Sequence, residues 1–182
     1  RKGIKVETLI EFMLEQGPSQ RSNLMEWEKI WAINKRIIDP DCPRFSGVSI
    51  AKACTLVIAN GPAKPEVVTV PKNKLNLALG ERPLYKSSEV LIEFDDADQL
   101  FEVGKKITLM NWGNVMIHAK DPQDDGSFLL KGEYLPEDKD FKSTKKVTWL
   151  AKDSNVLKVD LVEYDHLIKT PKVAVSYTHL RA

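Results

Sequence analysis

Cysteine, histidine and long apolar runs are all scarce in this chain, and each scarcity removes a class of function. Its 182 residues include two cysteines, Cys42 and Cys54, with no Cys-x-x-Cys pair, and three scattered histidines, His118, His166 and His179. A zinc site needs clustered ligands, so none is expected, and both cysteines read as reduced thiols of an intracellular protein. No apolar stretch approaches the ~20 residues that span a bilayer. The first residues, Arg1-Lys2-Gly3-Ile4, lack the apolar core of a signal peptide and an initiating Met. The expectation is a chain that begins inside a longer one. An excess of one charge is missing too: 27 Lys and Arg face 26 Asp and Glu, a net charge of +1. Any contact with RNA therefore has to come from local patches. Neither DNA nor a membrane is an expected partner.

What is present is the makings of a folded core. Hydrophobic residues make up 42 % and charged residues 29 %, the balance of one or two well-solvated domains. Residues 1–41 have helical periodicity. Val6, Leu9, Ile10, Met13 and Leu14 make an apolar stripe that Gly17 and Pro18 end. In a second helix, Leu24, Trp27, Ile30, Trp31, Asn34, Ile37 and Ile38 share a broad face, with Asn23 and Glu26 at capping-box spacing and Pro40 and Pro43 beyond it. The pattern predicts a helical hairpin with Trp27 and Trp31 packed inward.

From Phe45 the pattern turns to β. Strand-like segments rich in Val, Ile and Thr run through VSIAKACTLVIAN, PEVVTV, SEVLIEF, KKITLMNW, NVMIHA, SFLLKGEYL, KKVTWLA and NVLKVDLVEY. Turn signals such as Asn60-Gly61-Pro62 and Asp124-Asp125-Gly126 separate them. Near-regular spacing predicts a closed or nearly closed barrel, with 71–83 as a long irregular loop and no internal repeat. Asp121 to Gly126 superficially suggests a calcium loop but lacks the closing glutamate of an EF-hand, so a hairpin turn is expected there.

Three blocks carry a family resemblance: MEWEKIWAINKRIIDPDCPRF (25–45), KKITLMNWGNVMI (105–117) and TKKVTWLAKDSNVLKVDLVEYDHLI (144–168), with NLALGERPLYKSSEVLIEFDDAD in order between them. Together they resemble the eukaryotic, cytosolic-type glutamyl-tRNA synthetases, class I ligases that join glutamate to its tRNA with ATP and magnesium. The resemblance implies a mainly β fold with N-terminal helices: an α-helical hairpin followed by a partial antiparallel β-barrel, the first of two that hold the anticodon. It implies residues 1–43 as a helical connector from the catalytic domain and 44–172 as the proximal barrel, incomplete at its C-terminal end. Residues 173–182 match nothing in the family. The octapeptide VSYTHLRA (175–182) is also what a widely used sequencing adapter encodes, so adapter read-through is the expectation there. The implied partners are tRNA(Glu) and, through regions outside this chain, other synthetases or a tRNA-binding accessory protein. The implied location is the cytoplasm.

No His-x-Gly-His tetrad occurs, and Lys142-Ser143-Thr144-Lys145-Lys146, the nearest match to the family's catalytic lysine loop, precedes a strand. No catalytic, ATP-binding or metal residue is therefore assigned, and no cofactor is expected in this segment. Five residues are candidates for tRNA contact. Arg44 follows Pro43 where, in the resembling glutaminyl branch, an arginine touches an anticodon base; its planar fork suits base edges and phosphate. Trp112, in the turn Asn111-Trp112-Gly113-Asn114, either stacks on an unpaired base or packs over the barrel end. Lys142, Lys145 and Lys146 either contact phosphate or solvate a strand edge. Thr108 and Met110 stand where the glutaminyl branch has arginines, a departure that favours the glutamyl branch. Trp149 reads as core. Two alternatives remain open: a stand-alone non-catalytic RNA-binding or assembly module, and the glutaminyl enzyme.

Overall fold

A computed structural model describes residues 3–18, 27–154 and 156–162. The chain divides into two compact units, one containing the N-terminal helices and the other Pro43–Val156.

In the first unit, α1 (Val6–Gln16) and α2 (Trp27–Ile38) form a hairpin. Gly17 closes α1 in the left-handed region (φ 70°), its N–H donating to the Leu14 carbonyl. A buried polar hub joins the helices. The Asn34 side-chain oxygen accepts the Lys5 N–H at 3.0 Å and the Thr8 hydroxyl at 2.8 Å, and its Nδ2 donates to the Gly3 carbonyl at 3.0 Å. Asn34 thus satisfies one N–H that the start of α1 leaves open, that of Lys5. The side of α1 that is buried carries Thr8, so Val6, Leu9, Ile10, Met13 and Leu14 are all exposed. Ile30 and Ile33 are buried on α2, whereas Trp31 is half-buried and Trp27 is 39 % exposed, which corrects the expectation that both tryptophans pack inward. The two indoles lean on each other at 6.3 Å. The capping-box residues Asn23 and Glu26 lie outside the described residues.

The second unit is a barrel. Its strands are β1 (Cys54–Ile58), β2 (Glu66–Pro71), β3 (Glu81–Lys86), β4 (Glu89–Ile92), β5 (Lys106–Leu109), β6 (Gly113–Pro122), β7 (Phe128–Leu135), β8 (Lys145–Val147) and β9 (Trp149–Ala151). Seven of them form one sheet in the order β8-β5-β6-β7-β1-β4-β9, and β2 and β3 form a separate ribbon. The two ends of that order, β8 and β9, are one stretch of chain interrupted only at Thr148. β8 runs parallel to β5 with Thr108 opposite Lys146, and β9 runs antiparallel to β4 with Ile92 opposite Trp149. One segment therefore pairs with both edges and closes the sheet, which removes the open edges that invite aggregation.

Alternation along the strands fills the interior: Leu56, Ile58, Val90, Ile92, Ile107, Leu109, Val115, Ile117 and Leu130 are fully buried, and Trp149 is 2 % exposed. At Gly132 a Cβ would lie 2.7 Å from the Met116 carbonyl oxygen, so the close β6–β7 approach beside the bulge at Ile117/Ala119 requires glycine there.

Four features differ from the sequence reading. Two ladders, β1–β7 and β5–β8, are parallel, an arrangement set by long-range pairing that local pattern does not carry. The loop expected over 71–83 holds a 3₁₀ turn (Leu77–Leu79) and the start of β3. A short helix, α3 (Phe94–Leu100), sits in a stretch too acidic and short to show periodicity; its Ala97 and the following Phe101 are buried. Residues 156–162 carry no strand despite their alternation, and both edges of the barrel sheet are taken by 145–151.

Trp149 is the largest fully buried side chain of the closing segment. Trp149→Ala is expected to cost about 3–5 kcal/mol, read as a fall in the denaturant midpoint of the barrel transition.

Candidate nucleic-acid interface

Three loops meet at one end of the barrel, and the closing segment fixes the middle one. The β5–β6 turn, Met110-Asn111-Trp112, is held at three points. The Met110 N–H donates to the Val147 carbonyl at 3.1 Å, the Met110 carbonyl accepts the Trp149 indole N–H at 2.9 Å, and the Trp112 N–H donates to the Leu109 carbonyl at 3.0 Å. The Trp112 ring packs on Trp149 (centroids 4.9 Å apart) and Tyr134 (6.0 Å). A Cβ on Gly113 would come within 2.7 Å of the Tyr134 ring, so glycine is what lets the turn settle onto it.

The loop between β7 and β8 is organised by its acidic residues. The Asp140 carboxylate accepts the backbone N–H groups of Lys142 (3.2 Å) and Ser143 (3.3 Å) and the Ser143 hydroxyl. The Lys106 ammonium donates to Asp138 at 2.6 Å. Beneath the loop, the buried Thr108 hydroxyl bridges the Asn114 side-chain oxygen and the Thr144 hydroxyl, while Asn114 Nδ2 donates to the Asp140 carbonyl at 3.1 Å. This satisfied network ties β5 and β6 to the loop that carries the lysines.

These elements enclose a cleft of about 340 Å³ lined by Lys74, Thr108, Met110, Asn111, Trp112, Phe141 and Lys146, among others. Its size is at the low end of the ~300–1,000 Å³ usual for small-ligand pockets. Met110 and Phe141 are more than two-fifths exposed, and Trp112 is half-buried with the Lys86 ammonium 5.7 Å from its ring centroid. Apolar and aromatic walls with lysines at the rim suit an unpaired base and its phosphates. The opposite end of β7 differs in charge. Its cavity of about 410 Å³ is lined by Asp124, Asp125, Gln123 and Ser127 with no basic residue, and is built on the β6–β7 hairpin turn. Lysines near that end lie over aromatic rings: Lys120 over Phe128 and Lys52 over Phe94. Among the described residues no cluster of His, Cys, Asp and Glu could hold a metal ion.

The five residues marked in the sequence fall in different places. Trp112 and Lys146 line the cleft. Lys145, next to Lys146 on β8, is turned to the other face by strand alternation. Lys142 is exposed on the neighbouring loop, so the three lysines are not one cluster. Arg44 is exposed, with its N–H donating to the Lys72 carbonyl at 2.8 Å at the start of the β2–β3 connection. Thr108 and Met110 both line the cleft as alternation implies, although Thr108 is buried in the polar network and Met110 belongs to the turn. Sequence reasoning passed over Lys74, Asn111 and Phe141. The Phe141 signal was an aromatic set among lysines in KDFKSTKK; Lys74 arrives from a distant loop and left no signal.

The loop order depends on ionised carboxylates. The Lys106 ammonium holds Asp138 below the ordinary carboxylate range, and the Ser143 hydroxyl and amide do the same for Asp140. A depressed folded-state pKa gives a contribution fully present above the unfolded value and lost as pH falls through the folded one. The amide resonances of Lys142 and Ser143 are therefore expected to titrate with a midpoint below the ordinary aspartate value of 3.8, and a midpoint at or above it would contradict this account.

With this geometry in place, comparison with known proteins gives a consistent picture. Residues 42–134 match the family profile described as tRNA synthetases class I (E and Q), anti-codon binding domain. The chain is 43 % identical over 169 residues to the cytoplasmic glutamate–tRNA ligase of Saccharomyces cerevisiae, covering 92 % of this chain and 23 % of that protein. It is 38 % identical over 174 residues to the cytoplasmic glutamate–tRNA ligase of Arabidopsis thaliana, covering 95 % and 24 %. It is 37 % identical over 174 residues to the bifunctional glutamate/proline–tRNA ligase of Mus musculus, covering 94 % and 11 %. The chain thus spans about a quarter or less of the length of the curated relatives it matches.

Proposed function

The chain belongs to the anticodon-binding domain family of the class I tRNA synthetases for glutamate and glutamine, and from that premise we propose that it grips the anticodon region of tRNA(Glu) for a cytoplasmic glutamate–tRNA ligase. The observation that carries this reading is the cleft at the β5–β6 turn, where Trp112, Met110 and Phe141 offer apolar surface between Lys74 and Lys146. Lysine supplies affinity as a point charge to phosphate, and base-specific contacts supply discrimination. Arg44, Lys142 and Lys145, all exposed, extend the contact beyond the cleft. The helical hairpin serves as the connector toward the catalytic part of the ligase. Ligation of glutamate, with its ATP and magnesium, belongs to the longer protein, and no residue of this chain is assigned to it. Relatives that join a glutamate to a proline enzyme favour other synthetases as further partners. The names of the relatives, and Thr108 and Met110 in place of arginines, favour glutamate over glutamine.

Binding of the 182-residue chain to a synthetic anticodon stem-loop of tRNA(Glu), followed across a salt series, tests the reading. Affinity is expected to fall with salt. Lys146→Ala is expected to weaken binding for all loop sequences alike and to reduce the log–log salt slope by about 0.7–0.9, the loss of one phosphate contact. Binding that ignores salt, or a Lys146→Ala variant with the slope intact, would place the RNA elsewhere.

A further inference from the structure

The geometry points to Asn111 as the residue that selects the base held in the cleft, an inference that rests on the anticodon-binding reading and sharpens it. Asn111 stands at the tip of the β5–β6 turn, exposed, with a left-handed backbone (φ 63°). Asparagine is one of the few L-residues that tolerates this conformation, and the turn directs it to the cleft wall. Its carboxamide makes no hydrogen bond to any described residue.

The other polar groups of the cleft are committed or of the wrong kind. The Thr108 hydroxyl is used by Asn114 and Thr144. Asn114, three residues on, is buried and spends its amide on Thr108 and on the carbonyls of the lysine loop. Lys74 and Lys146 donate only, and Trp112 has a single donor. Among the described residues lining the cleft, Asn111 is therefore the one side chain with a donor and an acceptor both uncommitted. A phosphate has no donor to match such a pair, whereas the edge of an unpaired base presents donor beside acceptor and rewards a two-point contact. Asn111 sits beside the aromatic Trp112 and the apolar Met110, so a base stacked or packed there brings its edge to the carboxamide. The division of labour is then physical: the lysines hold the strand whatever its sequence, and Asn111 reads one base.

The test uses the 182-residue chain and a panel of anticodon stem-loops in which each loop position carries each of the four bases in turn. Asn111→Gly keeps the left-handed turn at ease while removing the carboxamide, and Asn111→Asp keeps the shape while replacing the donor with a second acceptor. The wild-type chain is expected to prefer one base at one loop position by about 5- to 150-fold, the range of a bidentate contact. Asn111→Gly is expected to reduce that preference to less than about threefold with the salt slope unchanged, and Asn111→Asp to alter which base is preferred there. A preference that survives both substitutions overturns the assignment of Asn111 while leaving the anticodon reading standing. Loss of affinity by Asn111→Gly to the same degree for every stem-loop also overturns it. Failure of the wild-type chain to bind any stem-loop at low salt sinks the anticodon reading, and this inference with it.

Discussion

The pairing of one short segment, Lys145–Ala151, with both edges of the sheet is the constraint on which the barrel and its cleft depend. β8 adds to β5 and β9 adds to β4, and the break between them at Thr148 lets one stretch serve two neighbours in opposite senses. Trp149 sits at the centre of this arrangement. Its rings fill the interior, and its indole N–H reaches out to the Met110 carbonyl. The side chain that completes the core thus also fixes the turn that presents Asn111 and Trp112. Stability and presentation are joined in one residue, and this gives the cleft a rigid wall built on strands rather than on a free loop.

Electrostatics acts locally in a chain whose charges almost cancel. The β7–β8 loop is rich in lysine, and it keeps its shape because Asp138 and Asp140 accept hydrogen bonds from Lys106, Ser143 and the loop backbone. Asp138 and Asp140 are engaged by Lys106 and by the loop's own backbone and Ser143, while Lys142, Lys145 and Lys146 are exposed. At the other end of β7 the cavity is lined by aspartates, which would repel a phosphate backbone. A net charge of +1 is therefore compatible with a strongly oriented approach of RNA, provided the cleft end leads.

Much of this was legible in the sequence, for reasons that differ from residue to residue. The strands around Leu56, Ile107 and Val115 announced themselves by alternation, and the end of α1 by Gly17. The barrel follows from strand spacing, and the family resemblance from blocks that happen to contain the closing segment and the β5–β6 turn. What was hidden depends on tertiary contact. The apolar stripe of α1 has the right period yet faces outward, since the hairpin is joined through Asn34 and Thr8. The alternation in 156–162 forms no strand, and both edges of the barrel sheet are taken by 145–151. Lys74 is a lysine in an unremarked loop until the β2–β3 connection carries it to Lys146. Three lysines read as one run are separated because Lys142 stays on the loop while β8 turns Lys145 and Lys146 to opposite faces.

The central claim is that RNA meets the barrel at the end where the three loops converge. Its most direct test is an NMR titration of the isotopically labelled 182-residue chain with an anticodon stem-loop of tRNA(Glu), following backbone amides and the Trp112 indole. The account predicts the largest shifts at Lys74, Asn111, Trp112, Phe141 and Lys146, with the amides of Gln123 to Leu129 unmoved. Shifts concentrated on that opposite hairpin, or on the exposed face of α1, would contradict it.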